Sequence, residues 1–221
     1  MSSIPRVLTG VMDNIPEVSR YADYGSDAIK DHDSSSWSIA RRISSICVVP
    51  FQVIAAALDA VIGVQFAALS IVAFGQSPKI NDKTYRHIQQ VMSLPSRLLS
   101  SSVRILNPNA EFPDPLKPRG IVTEILLGRL DTKHWFLSTS ENLIVSFFGS
   151  RFITLLKIPT AIVSRVMDFA IGIFATFACI ITAGCFEQVN TLASRQLQIL
   201  QIIPDIYRSA IELLNSQGFA Y

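Results

Sequence analysis

The sequence predicts an all-α protein built as a tandem duplication of one helical unit. Residues 42–106 and 151–215 align without a gap, with Arg42 on Arg151, so the offset is 109 residues throughout. Each copy begins with a long apolar stretch at helical spacing and continues as a more polar amphipathic helix that contains a proline. Hydrophobic residues make up 49% of the chain and charged residues only 16%, against about 25% in average soluble domains.

The residues that coincide between the copies are those with specific backbone or charge roles. Proline restricts the backbone and glycine frees it, so composition alone would rarely place them at matching positions. Duplication is therefore preferred over two unrelated apolar helices of similar composition. The positions that mark the first copy are Pro50, Asp59, Gly63 and Pro95. Their counterparts in the second copy are Pro159, Asp168, Gly172 and Pro204.

Proline-rich and polar segments divide the chain around the two units. The predicted parts are an N-terminal segment of short helices and a polar loop (1–41), repeat unit one (42–106), a proline-rich connection with short helices (107–150), repeat unit two (151–215) and a tail (216–221). A short helix is expected after Gly120, and Ser138 or Ser140 is a candidate N-cap for the next one. No cleavable signal peptide is predicted, because the first residues lack an apolar core behind a basic start.

The apolar stretch of each unit, residues 43–75 and 152–184, is too long for one upright membrane span. As a single helix it would measure about 50 Å at ~1.5 Å per residue, against a hydrocarbon core about 30 Å thick. Asp59 and Asp168 stand at the midpoints, where a buried charge costs about 2.5–3.5 kcal/mol on insertion scales. Two arrangements avoid that cost: a shallow hairpin that turns at the aspartate near the headgroups, or insertion of the following limb alone.

The second element of each unit, residues 82–106 and 191–215, is predicted to be an amphipathic helix kinked or split at Pro95 or Pro204. Gly63 and Gly172 follow the aspartates by four residues, on the same helical face, and indicate close approach of a neighbouring helix. Each unit is thus expected to form a helical hairpin or a set of three helices. For the two aspartates a structural role, capping or pairing, is preferred over an ion path.

The flanking charges bear on whether these units meet a membrane. Both copies carry an arginine before the apolar stretch and another after it, so the positive-inside bias would pull both units the same way. Units that enter and leave on one side fit this pattern. The alternative is a soluble helical bundle, with the apolar segments as its core and Lys157, Arg165 and Asp168 on its surface, where Arg165 and Asp168 could pair at i,i+3.

No catalytic constellation is present in the sequence, and no cofactor or metal site is predicted. There is no glycine-rich phosphate loop, paired-histidine motif or nucleophile elbow. His32, His87 and His134 are isolated and are interpreted as surface histidines, and the three cysteines, Cys47, Cys179 and Cys185, as small buried hydrophobic residues. The net charge of +2 argues against a nucleic-acid partner.

The second unit contains three short motifs in a fixed order. They are Lys157-Ile158-Pro159, Arg165 followed by Asp168, and Ile203-Pro204-Asp205. In these motifs the unit resembles hydrophobic proteins of chlamydial bacteria. The resemblance implies an obligate intracellular bacterium as the source and a membrane-associated, host-directed protein, and it implies no activity. The first unit departs from the pattern, since Val48 stands at the position of Lys157 and Ala56 at that of Arg165.

Together these features favour a non-enzymatic, membrane-associated structural or interaction protein. Membrane lipid is the expected partner, with a protein partner or self-association as further options, and the membrane is the expected location. The alternatives are a soluble, cytoplasmic helical scaffold or a secreted effector that binds a protein through an amphipathic groove, and a small transporter or pore that uses the aspartates.

Overall fold

The computed structural model describes residues 17–18, 35–113, 120–142 and 144–215. Within these residues all regular structure is helical, which confirms the all-α prediction. Most of the predicted N-terminal segment, His32 and the tail lie outside the described residues. The helices are α1 (Ser35–Val72), α2 (Pro78–Met92), α3 (Leu94–Leu106), α4 (Ile121–Ser138), a π-helical turn (Val145–Gly149) that continues into α5 (Ser150–Ile181), α6 (Glu187–Gln196), a 3-10 turn (Gln198–Gln201) and α7 (Ile202–Leu214).

The two apolar stretches form single continuous helices, α1 and α5. Pro50 and Pro159 lie inside them without ending them. Of the two arrangements predicted for Asp59, the hairpin that turns at this residue is therefore wrong. Its carboxylate accepts hydrogen bonds from other elements of the protein, so the chain need not bend to bring it to a polar surface.

The predicted proline-kinked helix is split in both copies. In the first copy α2 ends at Met92 and α3 begins at Leu94, so Pro95 falls in the first turn of α3, where a missing N–H costs no helical hydrogen bond. In the second copy the 3-10 turn separates α6 from α7, and Pro204 lies in the first turn of α7. The two amphipathic segments begin about four residues earlier than predicted, at Pro78 and Glu187.

The turn that ends each long helix has the same geometry in both copies. Gly75 and Gly184 adopt positive φ values of 66° and 70°, a conformation that glycine adopts without steric cost. The Asn81 side chain donates to the Gly75 carbonyl at 2.9 Å, and the Asn190 side chain donates to the Gly184 carbonyl at 2.8 Å. These two asparagines therefore hold the chain reversal that starts each returning arm.

After the reversal, α2 and α3 run back antiparallel along α1, and α6 and α7 run back along α5. We call each of these helix pairs a returning arm. Close to the turn, the Ser70 hydroxyl donates to Asn81, while further back Ser101 donates to Gln52. The two glycines predicted to permit close approach lie at these crossings. A Cβ on Gly172 would sit 2.8 Å from the backbone of Gln196, whereas one on Gly63 would sit 3.3 Å from the Cβ of His87.

The returning arms of the two halves pack against each other in a reciprocal way. We call α1–α3 half one and α5–α7 half two; α2 contacts α7, and its counterpart α6 contacts α3. Gly75, at the end of α1, packs against Ile211 in half two, and Gly184, at the end of α5, packs against Val103 in half one. The arrangement approximates a twofold axis perpendicular to the helices. As a result, α1 and α5 run in opposite directions.

Each long helix buries a polar seam and exposes its apolar side. The buried seam of α5 contains Ser150, Thr154, Lys157, Ala161, Ser164, Arg165, Asp168, Gly172, Ala175 and Cys179. The seam of α1 contains Ser45, Gln52, Ala55, Ala56, Asp59, Gly63, Phe66 and Ser70. Lys157, Arg165 and Asp168, expected on a bundle surface, are thus buried instead, because this face packs on the returning arm.

The apolar sides of α1 and α5 are exposed along their whole length. On α1 the exposed fraction is 62% at Ile39 and 77% at Val72, and on α5 it reaches 81% at Ile181. Among the described residues, two helices, 38–72 and 145–181, are long and apolar enough to cross a membrane. In an apolar 18-residue stretch of each helix, only 33% is buried. The other described helices therefore leave the apolar sides of α1 and α5 uncovered.

Candidate functional site

A charged cluster is buried between α4, α5 and α7, and Lys157 is its centre. The ammonium nitrogen of Lys157 lies 2.6 Å from Glu212 Oε2 and 2.9 Å from Asp131 Oδ1. The Lys157 residue is only 3% exposed and Glu212 only 1%. The α5 seam brings Lys157 against α7, and α4 packs antiparallel on α5 and supplies Asp131. The three helices are thereby joined through one ammonium group.

Glu212 is the acceptor that collects most of these contacts. Arg208 Nε donates to Glu212 Oε1 at 3.0 Å from one turn earlier on α7, and His134 Nε2 lies 3.9 Å from the other carboxylate oxygen. Burial would raise the pKa of Glu212, but the cations Lys157 and Arg208 outweigh burial and hold that pKa below its ordinary value of 4.5. Glu212 is therefore ionised at neutral pH.

His134 stands beside this carboxylate in the neutral form. Burial lowers the pKa of His134 below its ordinary value of 6.5, although the nearby Glu212 carboxylate acts in the opposite direction. The interpretation of His134 and His87 as surface histidines is wrong, because both rings are buried. Each lies on a helix face that packs against a neighbouring helix.

A second buried ion pair lies about two turns further along the same seam. Arg165 Nε and Nη2 both donate to Asp205 Oδ2, at 3.0 Å and 2.8 Å. Both residues are at most 5% exposed. The i,i+3 pair predicted between Arg165 and Asp168 is therefore wrong: Arg165 reaches across to α7, and Asp168 turns to α4.

The cluster balances its own charge and leaves little space. Its cations are Lys157, Arg165 and Arg208, and its anions are Asp131, Asp205 and Glu212. The cavity among these side chains has room for about one water molecule. Such an arrangement can clamp three helices together, but it offers no room for a substrate of ordinary size.

Asp168 and Asp59 occupy equivalent seam positions and bind the starts of other segments. The Asp168 carboxylate accepts the backbone N–H groups of Val122 and Thr123, both at 2.9 Å, and so caps the first turn of α4 from outside the helix. Asp59 accepts the backbone N–H of Val18 at 3.1 Å and faces His87 Nδ1 at 2.9 Å. The N-terminus of α4 carries partial positive charge, which attracts the carboxyl oxygens of Asp168.

The remaining predicted residues have simpler positions. Cys179 is buried and donates to Asn190, as expected of a core cysteine, whereas Cys47 and Cys185 are exposed, contrary to prediction. Cys47 faces outward from the apolar side of α1, and Cys185 lies in the turn after α5. The helix that leads into α5 is capped by Asn142, which accepts the Ile144 N–H at 3.0 Å, and not by Ser138 or Ser140.

Asp205 and Glu212 are the partners of Arg165 and Lys157, and neither pairing was predicted from the sequence. A signal was present: Lys157 and Arg165 are spaced eight residues apart on one helix face, and Asp205 and Glu212 are spaced seven residues apart on another. Once the two helices are known to run antiparallel, these spacings match. Without that knowledge, the partners of a buried cation cannot be chosen. In comparisons with known proteins, no family model, curated protein or solved structure matches this chain.

Proposed function

We propose that this chain is a non-enzymatic membrane protein with a structural or interaction role, in which α1 and α5 place their apolar sides in lipid. One observation carries the proposal: among the described residues, large apolar side chains cover the outside, while buried polar and charged side chains outnumber buried hydrophobic ones more than two to one. Soluble proteins show the opposite distribution.

The energetic argument depends on how much apolar surface faces outward. Moving one large apolar side chain out of water is worth about 1.5–3 kcal/mol, and each long helix exposes more than ten such side chains. The total is on the order of tens of kcal/mol, more than the stability of a typical domain. Lipid around α1 and α5 removes this cost without any change in the fold.

The seams of α1 and α5 also suit helix packing in lipid. Helices in a membrane gain nothing from hiding apolar surface against each other, so their contacts use small residues and hydrogen bonds. Gly63, Ser70, Gly172 and Ser164 are seam residues of this kind. The same composition would make a poor core for a water-soluble bundle.

The charged cluster supports a structural role over catalysis or transport. Its charges pair with one another, and its cavity has space for about one water molecule. Asp59 and Asp168, which a pore would need along a water-filled path, accept hydrogen bonds from backbone N–H groups. Because the charges of the cluster pair with one another, the free-energy cost of burying them inside a membrane protein is reduced.

The proposal is tested by flotation of the protein with lipid vesicles, followed by alkaline carbonate extraction. We expect the wild-type chain to float with the vesicles and to resist extraction. The variant Phe174→Asp adds one charge to the apolar side of α5 at a side chain that is 78% exposed. On insertion scales this costs up to about 2.5–3.5 kcal/mol, so the bound fraction should fall clearly.

The matched control is Gln188→Asp, which adds the same charge at an exposed polar position on α6. Its flotation should equal that of the wild type. A wild-type chain that stays in the supernatant, or equal loss for both variants, would refute lipid insertion. In that case the apolar sides must be covered by protein, as in the soluble scaffold alternative.

A further inference from the structure

The two long helices are much longer than a bilayer is thick. The apolar helices cover 35 and 37 residues, which at ~1.5 Å per residue gives lengths of more than about 50 Å. Crossing a hydrocarbon core of about 30 Å would require tilts above about 50°, outside the range of about 0–40° seen for spanning helices. Exposed large apolar side chains occur along the whole length of each helix, up to both ends.

The distribution of basic residues also argues against spanning. Because α1 and α5 run in opposite directions, the start of α1 and the end of α5 lie at one end of the molecule. Arg41 and Arg42 are at that end, while Arg151, at the start of α5, and Lys79, beyond the end of α1, are at the other. If the helices crossed the membrane, basic residues would face both sides, contrary to the positive-inside bias.

We propose that the protein is inserted in one leaflet only, with α1 and α5 lying along the membrane plane. The inference rests on the proposed membrane function and specifies the partner as the acyl chains of a single leaflet, with headgroup phosphates at both basic ends. In this arrangement the apolar sides of both long helices face the acyl chains of that leaflet. Helix length then sets no limit, and both basic ends meet the same headgroup layer.

Two equivalent positions at opposite ends of the molecule provide the test. Cys185 follows α5 and Gln76 follows α1, the two positions are related by the repeat offset, and both are exposed. The first variant, Cys47→Ala with Cys179→Ser, keeps Cys185 as its single thiol. The second adds Cys185→Gln and Gln76→Cys, which exchanges the residues of the two positions. Serine already occupies the counterpart of Cys179, at Ser70.

Each variant is made by cell-free synthesis in the presence of sealed vesicles, so that only the outer leaflet is available. Floated vesicles are treated with a membrane-impermeant maleimide, before and after detergent is added. We expect both variants to be labelled to at least about nine-tenths of their detergent value without detergent. Labelling of one variant with protection of the other would show that the helices span and would overturn the one-leaflet arrangement.

The same experiment separates this inference from the proposed function. If neither variant floats with the vesicles, the membrane function itself fails. If both float and one thiol is protected, the membrane function survives and the one-leaflet inference fails. Protection of both thiols until detergent is added would also overturn the one-leaflet inference, because neither end would then be accessible from outside the vesicle.

Discussion

Half one and half two have the same order of long helix, turn and returning arm. They differ in the side chains that lie between the long helix and the returning arm. In half two the seam contains the ion pairs Lys157–Glu212 and Arg165–Asp205. At the counterpart positions of half one stand Val48 with Val103 and Ala56 with Ser96. The long helices nevertheless end at equivalent residues, Val72 and Ile181, and the turn that follows is the same. The ion pairs are therefore not needed to form the hairpin.

The elements that the halves do share are those that shape the backbone. Each long helix ends in a glycine with positive φ and a capping asparagine, and each presents a seam glycine and a seam aspartate to its neighbours. The aspartates differ in their partners: Asp59 faces His87, whereas Gln196 stands at the His87 position and Asp168 binds α4 instead. The two halves thus have in common the close contact at the seam glycine and the turn that reverses the chain. The charged seam residues of half two serve in addition to attach α4.

The largest effect is expected from breaking one ion pair of half two. Glu212→Val introduces the residue found in half one and leaves the buried Lys157 and the half-buried Arg208 without the carboxylate they share. Loss of one partner of a buried pair typically costs about 3–5 kcal/mol. The free energy of unfolding in mild detergent, measured by denaturant titration, should fall by this amount.

The control replaces the whole Lys157–Glu212 pair of half two with the two valines that stand at these positions in half one. In the double variant Lys157→Val with Glu212→Val, no unpaired ammonium remains at the seam, and Asp131, with a 23% exposed side chain, can be hydrated. Most of the lost stability should return. A double variant as unstable as the single one would mean that the ion pair, and not the shared backbone, holds half two together.

A smaller difference is expected from the seam glycines. Gly172→Ala places a Cβ 2.8 Å from the backbone of Gln196, so α6 must move, and overpacking of this kind costs about 1–3 kcal/mol. Gly63→Ala meets only the His87 Cβ at 3.3 Å, and the better helix propensity of alanine offsets a small shift. The melting temperatures of the two variants should separate clearly. Equal destabilisation would show that the two crossings are equally tight.

The smallest effect is the dependence of stability on pH, which the charged cluster of half two should dominate. Glu212 has a folded pKa below 4.5, so it contributes stability above pH 4.5 that is lost as the pH falls through the folded pKa. His134 has a folded pKa below 6.5, so protonation of the unfolded state begins to reduce stability below about pH 6.5. Melting temperatures in detergent should therefore fall in two stages on acidification. In the Lys157→Val, Glu212→Val variant, the stage below pH 4.5 should be reduced, whereas an unchanged profile would assign it to other carboxylates.

Much of the local structure could be predicted because it depends on residues close in sequence. Helical spacing predicted that the apolar stretches are helical, without deciding between one long helix and a hairpin. The proline positions predicted that the returning arm is kinked or split, with an error of a few residues at its start. The role of the seam glycines followed from their place beside the aspartates. His87 and His134 were predicted to lie at the surface because their neighbours in sequence are polar. Their burial depends instead on which helix packs against their side of α2 or α4.

The sequence by itself determined that the chain is helical, that one pattern of elements occurs twice, and that each long helix has an apolar and a polar side. These properties follow from periodicity and from backbone chemistry at proline and glycine. Only the tertiary structure decided which side is buried, that Lys157 and Arg165 pair with α7, and that α1 and α5 run in opposite directions. Periodicity reveals two faces without identifying the surroundings of either, since polar and apolar faces exchange roles between water and lipid. Contacts between distant segments depend on how whole helices pack.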